Sequence, residues 1–111
     1  MKEKADFSHF AVLDMRIGRV VKVEEADTRK PLYRMTVDFG EEIGTKVSIA
    51  GYAEYPKEEL LGRLVVAVIN FEPKRMGPEV SEIFILGAVN EEGKAVYLAP
   101  ESDVPPGTVV V

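Results

Sequence analysis

Residues 33 to 39 alternate without a break: Tyr33, Met35, Val37 and Phe39 are apolar, Arg34, Thr36 and Asp38 polar. A two-residue period puts each set on its own face of an extended chain, so the segment reads as a half-buried β-strand. Before it, Leu13 to Glu25 carries apolar Met15, Ile17, Val21 and Val23 and is interrupted by Gly18. That is a long strand, and Val20, which breaks the alternation, marks a bulge where the strand bends. Asp27-Thr28-Arg29-Lys30-Pro31 turns the chain between the two. After the turn from Gly40 to Gly44, Thr45 to Ala50 alternates as a third strand. Pro56 followed by Lys57-Glu58-Glu59-Leu60-Leu61-Gly62 places proline at a helix start and glycine past its end, predicting one or two helical turns. Leu64 to Phe71 reads as a continuous apolar strand and Glu82 to Val89 as another. Asn90-Glu91-Glu92-Gly93 then makes a hairpin turn into Ala95-Val96-Tyr97-Leu98.

Five or six strands with one short helix define an all-β fold, and at this length a closed barrel protects sheet edges better than an open sheet. A helix between the third and fourth strands is the arrangement of the five-stranded OB-fold Greek-key barrel. Residues 1–111 are expected to form a single domain, with a lead-in over 1–10 and a C-terminal strand extension over 100–111 that ends in three valines.

Composition narrows the chemistry. No cysteine is present, which excludes disulfides, thiolate catalysis and iron–sulfur clusters, and His9 is the only imidazole. A metal site or a Ser/His/Asp triad would have to be built on that one residue, so neither catalysis nor a cofactor is expected. The 14 basic and 19 acidic residues give a net charge of −5, so any contact with nucleic acid must be a local basic patch. The chain has no glutamine and 30% charged residues, a balance found in heat-adapted proteins. No apolar run approaches the ~20 residues that span a bilayer, and Met1 to Asp6 lacks the apolar stretch of a secretory signal, so a cytoplasmic location is the default.

Against that acidic background, the segment from Asn70 to Ser81 stands out. Glu72 to Val80 carries Lys74 and Arg75, two prolines and a glycine, which is more shape than a strand reversal needs. The plain alternative is a solvated hairpin loop. As an RNA surface, Lys74 and Arg75 would supply charge for phosphates, and Asn70 and Ser81 directed hydrogen bonds. Arg29, Lys30, Arg34 and Lys46 would widen the patch. Tyr33 and Phe71 are stacking candidates, although the strand pattern favours the core for both.

Asp14-Met15-Arg16-Ile17-Gly18, Leu32-Tyr33, Tyr55-Pro56 through Leu61-Gly62, Asn70-Phe71-Glu72-Pro73-Lys74-Arg75-Met76, Ser81 and Pro105-Pro106-Gly107 together resemble the tRNA-binding-domain family. Val37-Asp38-Phe39-Gly40, Ile43-Gly44, Ser81-Glu82-Ile83 and Leu86-Gly87 resemble in particular its CsaA branch of export-related chaperones. The resemblance implies an OB barrel, a homodimer, no catalytic activity, and a groove that binds tRNA or structured RNA. It implies that Asn70, Lys74 and Ser81 face that groove, with Arg16 and Ser48 at further matching positions. Glu82-Ile83 departs from the Gly-Met that usually follows the serine in tRNA-binding members, and a carboxylate beside phosphates repels. The CsaA likeness therefore carries a second reading, in which unfolded or pre-export polypeptide is bound through Met76, Glu82 and Ile83. The apolar termini, Phe7 and Phe10 at one end and Val109 to Val111 at the other, are expected to pack across a twofold interface.

Overall fold

A computed structural model describes residues 1–111. In chain order the elements are α1 (Ser8–Ala11), β1 (Met15–Glu25), β2 (Tyr33–Asp38), β3 (Thr45–Ala50), α2 (Lys57–Leu60), β4 (Leu64–Val68), β5 (Lys74–Met76), β6 (Glu79–Ser81), β7 (Phe84–Ile85), β8 (Gly87–Val89) and β9 (Ala95–Tyr97). One sheet runs β3-β2-β1-β4-β7, and β5-β6 and β8-β9 are separate hairpins.

The length of β1 lets it serve both halves of the barrel. Its first residues pair with β4, from Met15 opposite Val68 to Arg19 opposite Leu64, and its last with β2, from Arg19 opposite Asp38 to Glu25 opposite Tyr33. The β2 register slips between Val20 and Lys22, so the expected bulge is present. It also reverses one expectation: Val20 and Val23 are buried, whereas Val21, the extra residue, points outward. Gly18 sits where the strands crowd, since a Cβ there would come within 2.5 Å of Val37 and 2.6 Å of Phe39.

Tyr33, Met35, Val37 and Phe39 all point into the barrel, as their alternation requires. The single turn of α2 closes one end by inserting fully buried Leu60; Pro56 precedes it in an extended conformation and Gly62 follows at φ +83°. The sheet curls until β3 meets the segment before β7, where the N–H groups of Glu82 and Ile83 both donate to the Val47 carbonyl at 2.8 and 3.3 Å. The result is the nearly closed five-stranded barrel of an OB-fold.

Two strands are shorter than their apolar runs. β4 stops at Val68, because the Ile69 N–H bonds back to the Asp14 carbonyl and Asn70 turns toward the lead-in; Phe71 is left outside the core. The run from Glu82 to Val89 breaks after Ile85, where Gly87 passes so close to the Val96 carbonyl and the Tyr52 ring that no side chain fits, and β8 peels away to pair with β9. The C-terminal extension fills the stretch of β1 that β2 does not reach. Gly107 N–H donates to Ile17 O, Ile17 N–H to Thr108 O and Val110 N–H to Met15 O. The tail is thus bound within its own chain. No helix is long and apolar enough to cross a membrane.

Candidate nucleic-acid interface

Because β2 alternates, the residues opposite its core side form an outer face. Strand partners extend that face to Lys22 and Glu24 on β1, Arg34 and Thr36 on β2, and Val47 and Ile49 on β3. Its charges are largely spent on one another. Glu24 bridges Lys22 at 3.6 Å and Arg34 at 3.8 Å, and Arg34 also pairs with Glu79 at 3.4 Å.

The segment from Asn70 to Phe84 folds over the β3 side of this face. Its centre is the hairpin β5-β6, turned at Gly77 with φ +64°. The Ser81 hydroxyl fixes the hairpin base to β3 by accepting the Ile49 N–H at 2.9 Å and donating to the Ile83 carbonyl at 3.1 Å. Next to it, the Glu82 carboxylate accepts the Val47 N–H at 2.9 Å. An open groove of about 450 Å³ remains, bordered by Leu32, Ile49, Phe71, Lys74, Met76 and Phe84. Phe71 and Phe84 are 48% and 56% exposed and meet edge to face, with ring centroids 6.3 Å apart. Exposed aromatic faces beside a groove are what stacking on unpaired bases requires.

Cations complete the site. Lys74 and Arg75 on β5 are exposed, and no carboxylate lies within ion-pairing distance of either; the same holds for Arg29 and Lys30, and half-buried Lys46 is also unpaired, whereas Arg16, Arg19, Lys22, Arg34, Lys57 and Lys94 are all paired. Unpaired cations are the ones free to exchange counterions for phosphates.

The residues singled out from sequence therefore fall into separate places. Lys74, Met76, Ser81, Glu82 and Ile83 border the groove and Arg75 lies beside Lys74, although Ile83 is buried in the core and the Ser81 hydroxyl is occupied by backbone partners. Arg16 and Asn70 lie together elsewhere. The Asn70 amide accepts the Asp14 N–H at 2.8 Å and donates to the Val12 carbonyl at 2.9 Å. Arg16 pairs with the Asp14 carboxylate at 2.7 Å and donates to the Gly107 carbonyl at 3.1 Å. The hydrogen bond that Arg16 donates to Asp14, helped by the Asp14 and Glu42 charges, raises the Arg16 pKa above the ordinary guanidinium value. Ser48 is only 2% exposed, opposite Met35 on the inward side of β3. Of the two stacking candidates, Tyr33 is core, its hydroxyl donating to the Tyr55 carbonyl at 2.7 Å, while Phe71 is the exposed one. Phe84 was missed, yet its position between Ile83 and Ile85 was the available signal, because alternation sends it to the opposite face. His9 sits on exposed α1.

The fold and groove are those of an OB-type binding domain. Residues 15–109 match the family described as "Putative tRNA binding domain", and the chain belongs to that family. It is 42% identical over 111 residues to a methionine–tRNA ligase of Archaeoglobus fulgidus, an alignment covering 98% of this chain and 16% of the ligase. The chain thus spans about a sixth of the length of that relative. Among solved structures it is similar to the chaperone CsaA of Bacillus anthracis, with TM-score 0.92 and 41% identity over 98% of this chain and 100% of the other. It is also similar to a MetRS-related protein of Pyrococcus horikoshii, with TM-score 0.86 and 31% identity over 99% and 100%.

Proposed function

We propose that this protein is a cytoplasmic, non-enzymatic homodimer that binds tRNA or structured RNA through the groove beside β5-β6. The observation that carries this reading is the meeting, in one groove, of exposed Phe71 and Phe84 with unpaired Lys74, beside which Arg75 adds a second unpaired cation. Bases stack on the rings and phosphates sit on the cations. Ser81 and Glu82 hold the groove wall against β3. Membership in the tRNA-binding family and similarity to a methionine–tRNA ligase support RNA as the ligand.

A second reading, an unfolded or pre-export polypeptide in the same groove, is favoured by similarity to the CsaA chaperone and by the apolar lining of Leu32, Ile49, Met76 and Phe84. Salt dependence separates the two. Four phosphate contacts to unpaired RNA give a log–log slope of about −3, at about 0.7 per contact, whereas apolar peptide capture gives a slope near zero. Filter binding of bulk tRNA at several salt concentrations, beside capture of a denatured polypeptide, is the test. Salt-insensitive peptide capture without tRNA retention would reject the RNA reading.

A further inference from the structure

On one side the barrel is closed by side chains rather than by a strand. Along the outer edge of β3, Glu82 takes the Val47 N–H and Ser81 the Ile49 N–H, at 2.9 Å each. Past Ile49 no side chain continues this substitution, and the seam opens into a mostly apolar cleft of about 250 Å³ bordered by Ile49, Gly51, Tyr52, Phe84, Gly87 and Val89. Ile49, Gly51 and Phe84 also border the aromatic groove, so the cleft continues it away from the β5-β6 hairpin.

The far wall of this cleft is a free strand edge, because β8 pairs only with β9. Leu98 N–H donates to the Leu86 carbonyl at 3.1 Å and Asn90 N–H to the Lys94 carbonyl at 2.9 Å, with Ala88 opposite Val96 midway between them. Bonded residues alternate along an antiparallel ladder, so Gly87 and Val89 turn their N–H and C=O groups away from β9. The Val89 side chain is 75% exposed beside them. Directly after β8, Glu91 and Glu92 are exposed with no cation within ion-pairing distance, since Lys94 is committed to Glu54.

Free backbone donors and acceptors beside an apolar cleft match an extended polypeptide, whose main chain adds a strand and whose alternate side chains enter the cleft. Two unpaired carboxylates at the end of that edge repel phosphates and attract a cationic flank. We infer that the free edge of β8 is a strand-addition site for a polypeptide, with three apolar residues antiparallel to Gly87–Val89, preceded by lysine or arginine against Glu91 and Glu92. The inference rests on the polypeptide reading above and adds to it a hydrogen-bonding edge, a chain direction and a sequence preference.

The test uses the full chain and the peptide Lys-Lys-Val-Ile-Val-Ala with a C-terminal fluorophore, read by anisotropy. Val89→Pro removes an N–H that the hairpin does not use, so circular dichroism and tRNA retention are unchanged while the peptide binds roughly five- to tenfold more weakly. Val89→Ile, which keeps the N–H, binds it as the unaltered protein does. Methylating the backbone nitrogens of the two peptide valines, which face Gly87 and Val89, abolishes binding to the unaltered protein, and methylating that of the isoleucine does not. Glu91→Gln/Glu92→Gln weakens binding about threefold, and exchanging the peptide lysines for norleucine removes that difference. If the unaltered protein binds the peptide but Val89→Pro binds it equally, or methylation at isoleucine harms as much as at the valines, the edge site is rejected and the peptide belongs to the aromatic groove. Equal binding by the Glu91/Glu92 variant rejects the cationic flank. A dimer that Val89→Pro turns into a monomer assigns the edge to a second copy instead. Capture of a denatured polypeptide without the short peptide rejects this inference alone; binding of neither brings down the polypeptide reading and this inference with it.

Discussion

Glu82 and Val47 exchange two hydrogen bonds: the Glu82 carboxylate accepts the Val47 N–H at 2.9 Å, and the Glu82 N–H donates to the Val47 carbonyl at 2.8 Å. The side chain imitates the strand partner that β3 lacks on its outer edge, and so helps to close the barrel. Glu82→Ala leaves the Val47 N–H without its charged acceptor and should cost about 1.5–3 kcal/mol in denaturant unfolding. Glu82→Gln keeps an oxygen in place and should cost less than about 1 kcal/mol. If the carboxylate acted mainly to repel RNA, Glu82→Gln would instead raise tRNA affinity several-fold at unchanged stability.

Asn70 poses a similar choice between holding the chain and touching a ligand. Both ends of its amide are engaged by the lead-in backbone at Val12 and Asp14. Asn70→Ala should therefore lower stability by about 1–2 kcal/mol and speed amide exchange at Asp14. Loss of tRNA binding with unchanged exchange at Asp14 would show a direct contact instead.

These two residues mark where sequence reading stops. The strand β2 was legible because burial on one face imposes a local period, and α2 because proline and glycine punctuate it, whereas β3 alternates with Val47 and Ile49 on the outer face and Ser48 inward. The direction of Val21 was not, since it depends on a register slip against β2. The cations pose the same limit. Arg34 and Lys74 look alike along the chain, and only the folding of Glu24 and Glu79 around Arg34 leaves Lys74 as the free one. The loop from Asn70 to Ser81 was recognisable by its content, but the bonds that Ser81 and the adjoining Glu82 make to β3 join residues 32 and 35 positions apart.

The aromatic pair gives a cleaner test of binding than any tethered polar residue. Phe71 and Phe84 are about half exposed, so replacing either by alanine should cost less than about 1 kcal/mol of stability. Stacking of one base per ring predicts a loss of about 1–3 kcal/mol in RNA affinity for each. Its signature is a weaker affinity at every salt concentration with the slope intact. A fall in slope would contradict stacking.

Tyr52 makes the fold sensitive to alkali. It is 4% exposed, packs against the rings of Tyr55 and Tyr97, and donates to the Ile85 carbonyl at 3.3 Å. Burial, and secondarily the Tyr55 charge, raise its pKa above the ordinary 10.0. The folded state therefore holds the phenol proton more tightly than the unfolded chain does. Its contribution to stability is complete below pH 10 and is lost as pH rises from there through the folded value. Denaturant midpoints measured from pH 8 to 11 should fall for the unaltered protein and fall less steeply for Tyr52→Phe. Parallel curves would remove Tyr52 from the account.

The two termini converge at the start of β1, where Ile69 bonds to Asp14 on one side and Val110 to Met15 on the other. Around that point Phe7, Val12, Val109 and Val111 remain exposed, an apolar surface well suited to burial against a second copy. Removing the tail is a poor probe, because Gly107, Thr108 and Val110 hydrogen-bond to β1 and their loss would weaken the barrel itself. Point substitutions that keep the backbone are better. The unaltered chain should sediment as a dimer of its 12.3 kDa subunit. Phe7→Asp and Val109→Lys should each give monomers with unchanged circular dichroism, since a charge desolvated across a twofold axis is met twice. A dimer that survives both moves the interface to another face, and a monomeric unaltered chain rejects it outright.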